Sequence, residues 1–197
     1  MNDPRVVKLA KLIVKYSINV RPGEKVAIRS LTPAEPLLNE LYAQVVAAGG
    51  FPFLALKFPD NVERFYTLAS DEQLAYISEV EQFIVDTFDA VILVRGEINT
   101  KALGKVPPRK LMLAQQAEGH LMKTTIQRAA QGKIKWVSTL FPTNAYAQDA
   151  HMSLREYENF VYRACMPDMD DPVGYWRGVE REQARIIDWL QGRQQVH

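Results

Sequence analysis

Three histidines, one cysteine and one cluster of aspartates are the residues of this 197-residue chain that could do more than pack. His120 falls within a long helical pattern, His151 in a loop and His197 at the last position. None has a second histidine three or four residues away, so the HExxH arrangement that puts two imidazoles on one metal is absent. Glu118 and His120 are two residues apart and point to different sides of a helix. Cys165 sits beside an apolar stripe with no histidine near it in sequence, which reads as a buried, inert thiol rather than a nucleophile. Asp168, Asp170 and Asp171 could approach a hard cation. They lack the glycine and the terminal glutamate of a calcium loop, and read instead as a solvated loop capping the last helix. A hydrolytic metal centre needs clustered His and carboxylate ligands with one position open for water. These scattered residues offer no such set.

The elements that would position chemistry are clearer. From Glu24 to Phe58 the chain reads as strand, amphipathic helix, strand. Val26, Ala27 and Ile28 form an apolar run too short for a helix, and Leu38, Leu41, Val45 and Ala48 recur at helical spacing. Gly49 and Gly50 follow the helix end, where a residue able to take φ > 0 is wanted. Two short strands joined by a helix form a parallel pair with a right-handed crossover. Ala90 to Arg95 is a β-branched run of the kind buried on both sheet faces, and Ile134 to Leu140 is a fourth strand. The expected fold is therefore α/β: an open, doubly wound, mainly parallel four-stranded sheet in a Rossmann-like or flavodoxin-like order 2-1-3-4, with a helical final third. Residues 1–197 read as one domain.

Local signals mark the helices. Asp3-Pro4 is an N-cap followed by proline at N1, opening a helix with Val6, Leu9, Ile13 and Tyr16 inside. Pro22-Gly23 suits the centre of a type II turn. Thr32 and Glu35 have capping-box spacing, with Glu35 before Pro36 an alternative N-cap. Ser70 with Gln73 and Ser153 with Glu156 are two further capping boxes. Asn61 to Leu68 reads as a short helix, and Phe83, Ile84 and Thr87 as another. Pro107-Pro108 opens a long helix to about Ala130, with Leu113, Ala117, Leu121 and Thr124 along one face. Leu154, Tyr157, Val161 and Ala164 form a buried stripe on the next helix. Pro172 starts the last, with Trp176, Val179, Gln183, Ile187 and Leu190 at near-helical spacing. The loop 30–36 after the first strand holds neither GxGxxG nor GxxxxGK[ST]. It therefore cannot wrap a pyrophosphate, which argues against a dinucleotide site.

Formal net charge is +1, but it is unevenly placed. Residues 60–97 carry a net −7 and residues 101–135 a net +7. No aromatic residue interleaves the basic stretch as a stacking platform for nucleic acid requires, so the pattern reads as two neighbouring helical layers that attract each other. One cysteine excludes an internal disulfide framework and fits a reducing compartment. Apolar runs are strand-sized, and Lys8, Lys11 and Lys15 interrupt any leader-like stretch. The expectation is a cytoplasmic protein with no nucleic-acid or membrane partner.

In open parallel sheets, ligands bind beyond the carboxyl ends of the strands. Those ends present Arg29, Lys57, Arg95, Glu97, Asn99 and Thr139, a polar and partly cationic rim. It is the candidate ligand-contact or cavity-facing surface, or else the surface that meets another domain.

One longer pattern goes further. The run from Trp136 to Thr143, WVSTLFPT, is followed by Ala145, Ala147-Gln148, Cys165, Asp171-Pro172-Val173 and Trp176. Together with Asn19-Val20, Pro22-Gly23-Glu24, Glu35-Pro36-Leu37 and Ala47-Ala48-Gly49-Gly50, it resembles the first domain of the aminopeptidase T and aminopeptidase S family of metal-dependent aminopeptidases. The resemblance covers effectively the whole chain. It implies a parent enzyme, a homodimer, that removes N-terminal residues from peptides with two bridged divalent metal ions, zinc, cobalt or similar. It also implies that the metal ligands (two glutamates, two histidines, a tyrosine and an aspartate) lie in a second, C-terminal catalytic domain absent from this chain. Gln194 to His197 resembles the approach to that domain. No catalytic or metal residue and no cofactor is therefore assigned to this sequence, and the chain alone is expected to be inactive. Its role would be to wall the active-site cavity and aid assembly. The alternative is a stand-alone module that binds a small molecule or anion on the same rim.

Overall fold

A computed structural model of the chain describes residues 3–165 and 169–193. Four parallel strands form one sheet in the order β2-β1-β3-β4, as the sequence pattern predicts. They are β1 (Lys25–Leu31), β2 (Phe51–Lys57), β3 (Ala90–Arg95) and β4 (Lys135–Leu140). Val26 lies beside Pro52 on one side and Ala90 on the other, and Ala90 lies beside Lys135. This register fixes which residues share a sheet face, because side chains alternate along each strand.

One face carries Val26, Ile28, Ala90, Ile92 and Val94. Against it pack α1 (Pro4–Leu12), α2 (Glu35–Ala47) and, through Tyr162, α8 (Leu154–Cys165). Helix α1 starts as read: Asp3 caps it by accepting from the Arg5 N–H at 2.9 Å. Its last turn widens into a π-helical stretch, Ile13–Ser17, and Asn19 turns the chain at φ 42°. Pro22-Gly23 forms the expected turn, with Gly23 at φ 86° and Glu24 N–H donating to Arg21 O. Gly49 ends α2 at φ 80°. The start of α2 differs from expectation. A 3-10 turn, Thr32–Ala34, leads straight into the helix, Ala34 occupies the cap position and no side chain caps it. With Pro33 and Pro36 already setting the backbone, that start needs no side-chain acceptor.

The other face carries Ala27 and Val91 under Ile84, Phe88 and Ile134. Here lie α3 (Pro59–Leu68), α4 (Asp71–Ala75), α5 (Glu79–Thr87) and α6 (Pro108–Ala130). Ser70 and Gln73 close their capping box, and so do Ser153 and Glu156. The buried line of α6 runs through Ala114, Leu121 and Thr125, about one position round from the predicted face. Helix α6 packs on α4 and α5 rather than over the end of β4. Consequently β3 is not buried on both faces along its length: Leu93 is 39% exposed and Trp136 of β4 is 48% exposed.

The opposed charge blocks do form adjoining layers. Arg109 of α6 pairs with Asp71 of α4. Arg128 donates to the carbonyls of Val85 and Phe88 at the end of α5, and Lys110 to those of Tyr66 and Ala69 at the end of α3. Basic side chains on the last carbonyls of neighbouring helices are a favourable use of the helix dipole.

In the final third, a short helix α7 (Asn144–Asp149) was not legible as a helix. On α8 the buried residue is Tyr162, while Ala164 is exposed. Helix α9 (Pro172–Leu190) begins as predicted, with Asp171 accepting from Gly174 N–H at 2.9 Å. Trp176 is half-buried and donates to Cys165 O at 3.1 Å. Residues 181–189 are all exposed, so the predicted stripe is partly covered at Trp176 and Val179 and open at Gln183 and Ile187. His197, Asp168 and Gln194 to His197 lie outside the described residues. Among the described residues no helix is long and apolar enough to cross a membrane.

Candidate functional site

The order β2-β1-β3-β4 puts a topological switch point between β1 and β3, where the chain leaves the two strands in opposite directions. Protein atoms close it. The buried Ser30 hydroxyl donates to Val94 O at 2.9 Å, stitching β1 to β3. Gly96, the first residue beyond β3, lies against the 3-10 turn; a Cβ there would stand 3.0 Å from the Ala34 Cβ. The open space is one step aside. A shallow cleft of about 390 Å³ lies between the exits of β1 and β2, lined by Thr32, Phe58, Asp60, Asn61, Arg64 and Ile98 among others.

The predicted rim divides between the two sheet faces. Arg29 and Lys57 come together on the α5 side, where both pair with one oxygen of Glu81, at 3.0 and 3.3 Å. Glu81 sits in the first turn of α5, where a carboxylate is favoured by the exposed helix N–H groups. Two of the three basic rim residues thus share one acid that sequence spacing did not single out, and the group keeps a net charge of +1. Arg95 lies exposed on the same face, two residues past Leu93, which aligns with Arg29. Thr139 aligns with Val94 and so lies on the opposite face, half-buried. Asn99 is exposed and accepts from Lys101 N–H at 2.9 Å, a local turn bond.

Glu97 is the most constrained rim residue. Its backbone N–H donates to the Tyr146 hydroxyl at 3.4 Å, and its carbonyl accepts from the Thr143 hydroxyl at 2.6 Å. One carboxylate oxygen, Oε2, is sealed from solvent with no partner among the described residues. Close by, Asp149 accepts from the Thr100 hydroxyl at 2.6 Å and pairs with Lys101 at 3.4 Å. The Thr100 bond is the main reason that the Asp149 carboxyl is held below the usual carboxylate range. Glu81, Arg64, Tyr146 and Asp149 are the site residues that sequence reasoning missed. Arg64 stands four residues after Asp60, the spacing of a helical pair, which was the available signal.

A bridged pair of divalent metals does not fit the side chains of the described residues. Among the described residues no group of three or more His, Cys, Asp or Glu side chains is placed to hold a metal ion. His120 is exposed on α6, and His151 is exposed at φ 55° just past α7. Burial pushes the Cys165 thiol up, away from thiolate reactivity.

The family described as thermophilic metalloprotease (M29) matches residues 2–197. Aminopeptidase 2 of Geobacillus stearothermophilus is 22% identical over 210 aligned residues, which cover 95% of this chain and 48% of that protein. Aminopeptidase T of Thermus thermophilus is 23% identical, covering 94% of this chain and 48% of its own length. The solved structure of wild-type AmpT from Thermus thermophilus superposes with a TM-score of 0.74 at 18% identity, over 95% of this chain and 48% of that one. That likeness shows the fold. The chain spans about half the length of the curated relatives it matches.

Proposed function

Because the chain belongs to the thermophilic metalloprotease family M29, we propose that it is the amino-terminal half of a metal-dependent aminopeptidase. The observation that carries this reading is the pair of coverages: nearly all of this chain matches less than half of each relative. In this reading the assembled protein is a homodimer that removes N-terminal residues from peptides. Its two divalent ions, zinc, cobalt or similar, are held by a C-terminal catalytic domain. This half walls the cavity over those ions and aids assembly. The rim of Arg29, Lys57, Arg95, Glu97 and Asn99, with the cleft beside it, is the surface turned to the cavity, and Thr139 supports it from the other sheet face. The donor set supports the division of labour, since the described histidines stand apart and exposed. A stand-alone anion module is less well supported, because Arg29 and Lys57 are committed to Glu81.

The test uses the purified chain. Calorimetric titration with cobalt and zinc is expected to give no stoichiometric binding, and an amino-acid anilide assay no turnover. Supplying the second half of a family member should produce turnover, and Arg95→Glu in this half should then raise KM for peptides. Tight one- or two-equivalent metal binding by the chain alone, or turnover by it, would overturn the assignment.

A further inference from the structure

The cleft at the exits of β1 and β2 is walled by constrained backbone. Pro33 lies in the 3-10 turn after β1, Pro59 opens α3, and the chain after β3 is clamped just before Ile98. The clamp is the Glu97 backbone, bonded to the Tyr146 and Thr143 hydroxyls, with Gly96 packed on Ala34. Two wall side chains are apolar and wet: Phe58 is 62% and Ile98 54% exposed. Two others carry opposite charges. Asp60 and Arg64 stand one turn apart on α3, the spacing at which such a pair normally meets. A long side chain on a helix leans back toward the N-terminus, which brings the Arg64 guanidinium toward the level of Asp60. Both residues line the cleft, yet neither forms a hydrogen bond or ion pair with the other or with any described residue. An acid and a base thus share one cleft without neutralising each other.

We propose that this cleft binds a short apolar peptide, of about two residues, as its zwitterion, with the ammonium on Asp60 and the carboxylate on Arg64. Charge selects a zwitterion: a simple anion meets Asp60 and a simple cation meets Arg64, whereas a ligand carrying both charges satisfies both. The planar guanidinium suits a carboxylate, which it can grip with two parallel bonds. The apolar walls select the side chains. Phe58 comes from the exit of β2 and Ile98 from the exit of β3, so each offers a separate surface for one ligand residue. Size selects the length. The cleft holds about 390 Å³, toward the lower end of small-ligand sites. A second residue also carries the ligand's two ends about 3.8 Å further apart, which suits an acid and a base that do not reach each other. Because proline and the Glu97 clamp set the walls beforehand, little ordering opposes binding.

The proposal stands on the cleft; only the source of the ligand, a peptide substrate, rests on the aminopeptidase reading. Its test reads binding and not turnover, so either can fail alone. Amide NMR of the full chain is titrated with dileucine, with its C-terminal amide, with its N-acetyl form and with leucine. Dileucine should give saturable shifts at residues 58–64 and 98 in the millimolar range, as a shallow, open cleft permits. Removing either ligand charge, or one residue, should weaken binding about tenfold or more, the scale of one charge-assisted hydrogen bond. Arg64→Gln should abolish the preference for dileucine over its amide and keep the preference over the N-acetyl form. Asp60→Asn should do the reverse. Both side chains are exposed, so the fold should survive either change, read as an unchanged circular dichroism spectrum. Arg155→Gln, an exposed base on α8, should leave all four titrations as they were. No saturable shift at those residues, equal binding of all the dileucine forms, or tighter binding of leucine than of dileucine would each overturn the proposal.

Discussion

Tyr162 ties α8 to the sheet, and its hydroxyl gives that tie a pH dependence. The side chain is 3% exposed, with the Arg5 guanidinium 4.6 Å from its ring centroid. Burial, and then the nearby Asp3 and Glu158 carboxylates, push its hydroxyl from the ordinary 10.0 up to about 12. In the unfolded chain the same hydroxyl titrates near its ordinary value. The native state therefore holds this proton more tightly, and the associated stability is complete below pH 10 and drains away as pH climbs toward 12. Each tenfold difference in proton affinity is worth about 1.4 kcal/mol, so the full loss is roughly 2–3 kcal/mol. Urea unfolding of the native chain and of Tyr162→Phe, from pH 8 to 11.5, measures it. Phenylalanine keeps the ring under Arg5 and removes the titrating group. The stability difference between the two proteins should be flat up to about pH 9.5 and then shift steadily in favour of Tyr162→Phe. Parallel stability curves across that range would refute the reasoning, since they would mean that Tyr162 ionises alike in both states.

Two further perturbations probe the site and its scaffold. Glu81→Gln removes the acceptor shared by Arg29 and Lys57 and should cost about 0.5–1 kcal/mol, since the pair is a quarter exposed and Lys57 more so. The cost should shrink in 1 M salt, and an equal cost at low and high salt would show that pairing is not its source. Gly50→Ala drives a Cβ to 2.9 Å from Val20 Cγ1 and 3.0 Å from Val45 Cγ1, both packed side chains. It should destabilise by about 1–3 kcal/mol, read as a lowered midpoint of thermal unfolding; an unchanged midpoint would mean that the corner between α2 and β2 yields freely.

The strands were legible because each is a short apolar run bounded by turn residues, and only the parallel α/β arrangement accounts for helices between them. Local caps were legible for the same reason: Asp3, Ser70 and Ser153 satisfy N–H groups within three residues of themselves. The start of α2 was misread because two prolines already set its backbone. Sequence spacing rewards Thr32 and Glu35 whether or not a cap is needed. At the rim, sequence gave which residues end each strand but not what faces them. Glu81 lies 52 residues from Arg29 in sequence, and only the docking of α5 brings them together.

Helix α9 shows where periodicity stops being informative. Trp176, Val179, Gln183, Ile187 and Leu190 do recur on one side, and the helix forms. Its first half meets the body, through Trp176 on Cys165 O and Glu180 at the Tyr16 hydroxyl, while Ile186, Ile187 and Trp189 are each more than half exposed. A stripe of this kind is maintained by burial against something, because an apolar helical face left in water gains nothing from its spacing. The pattern therefore identifies a helix without saying what covers its apolar face.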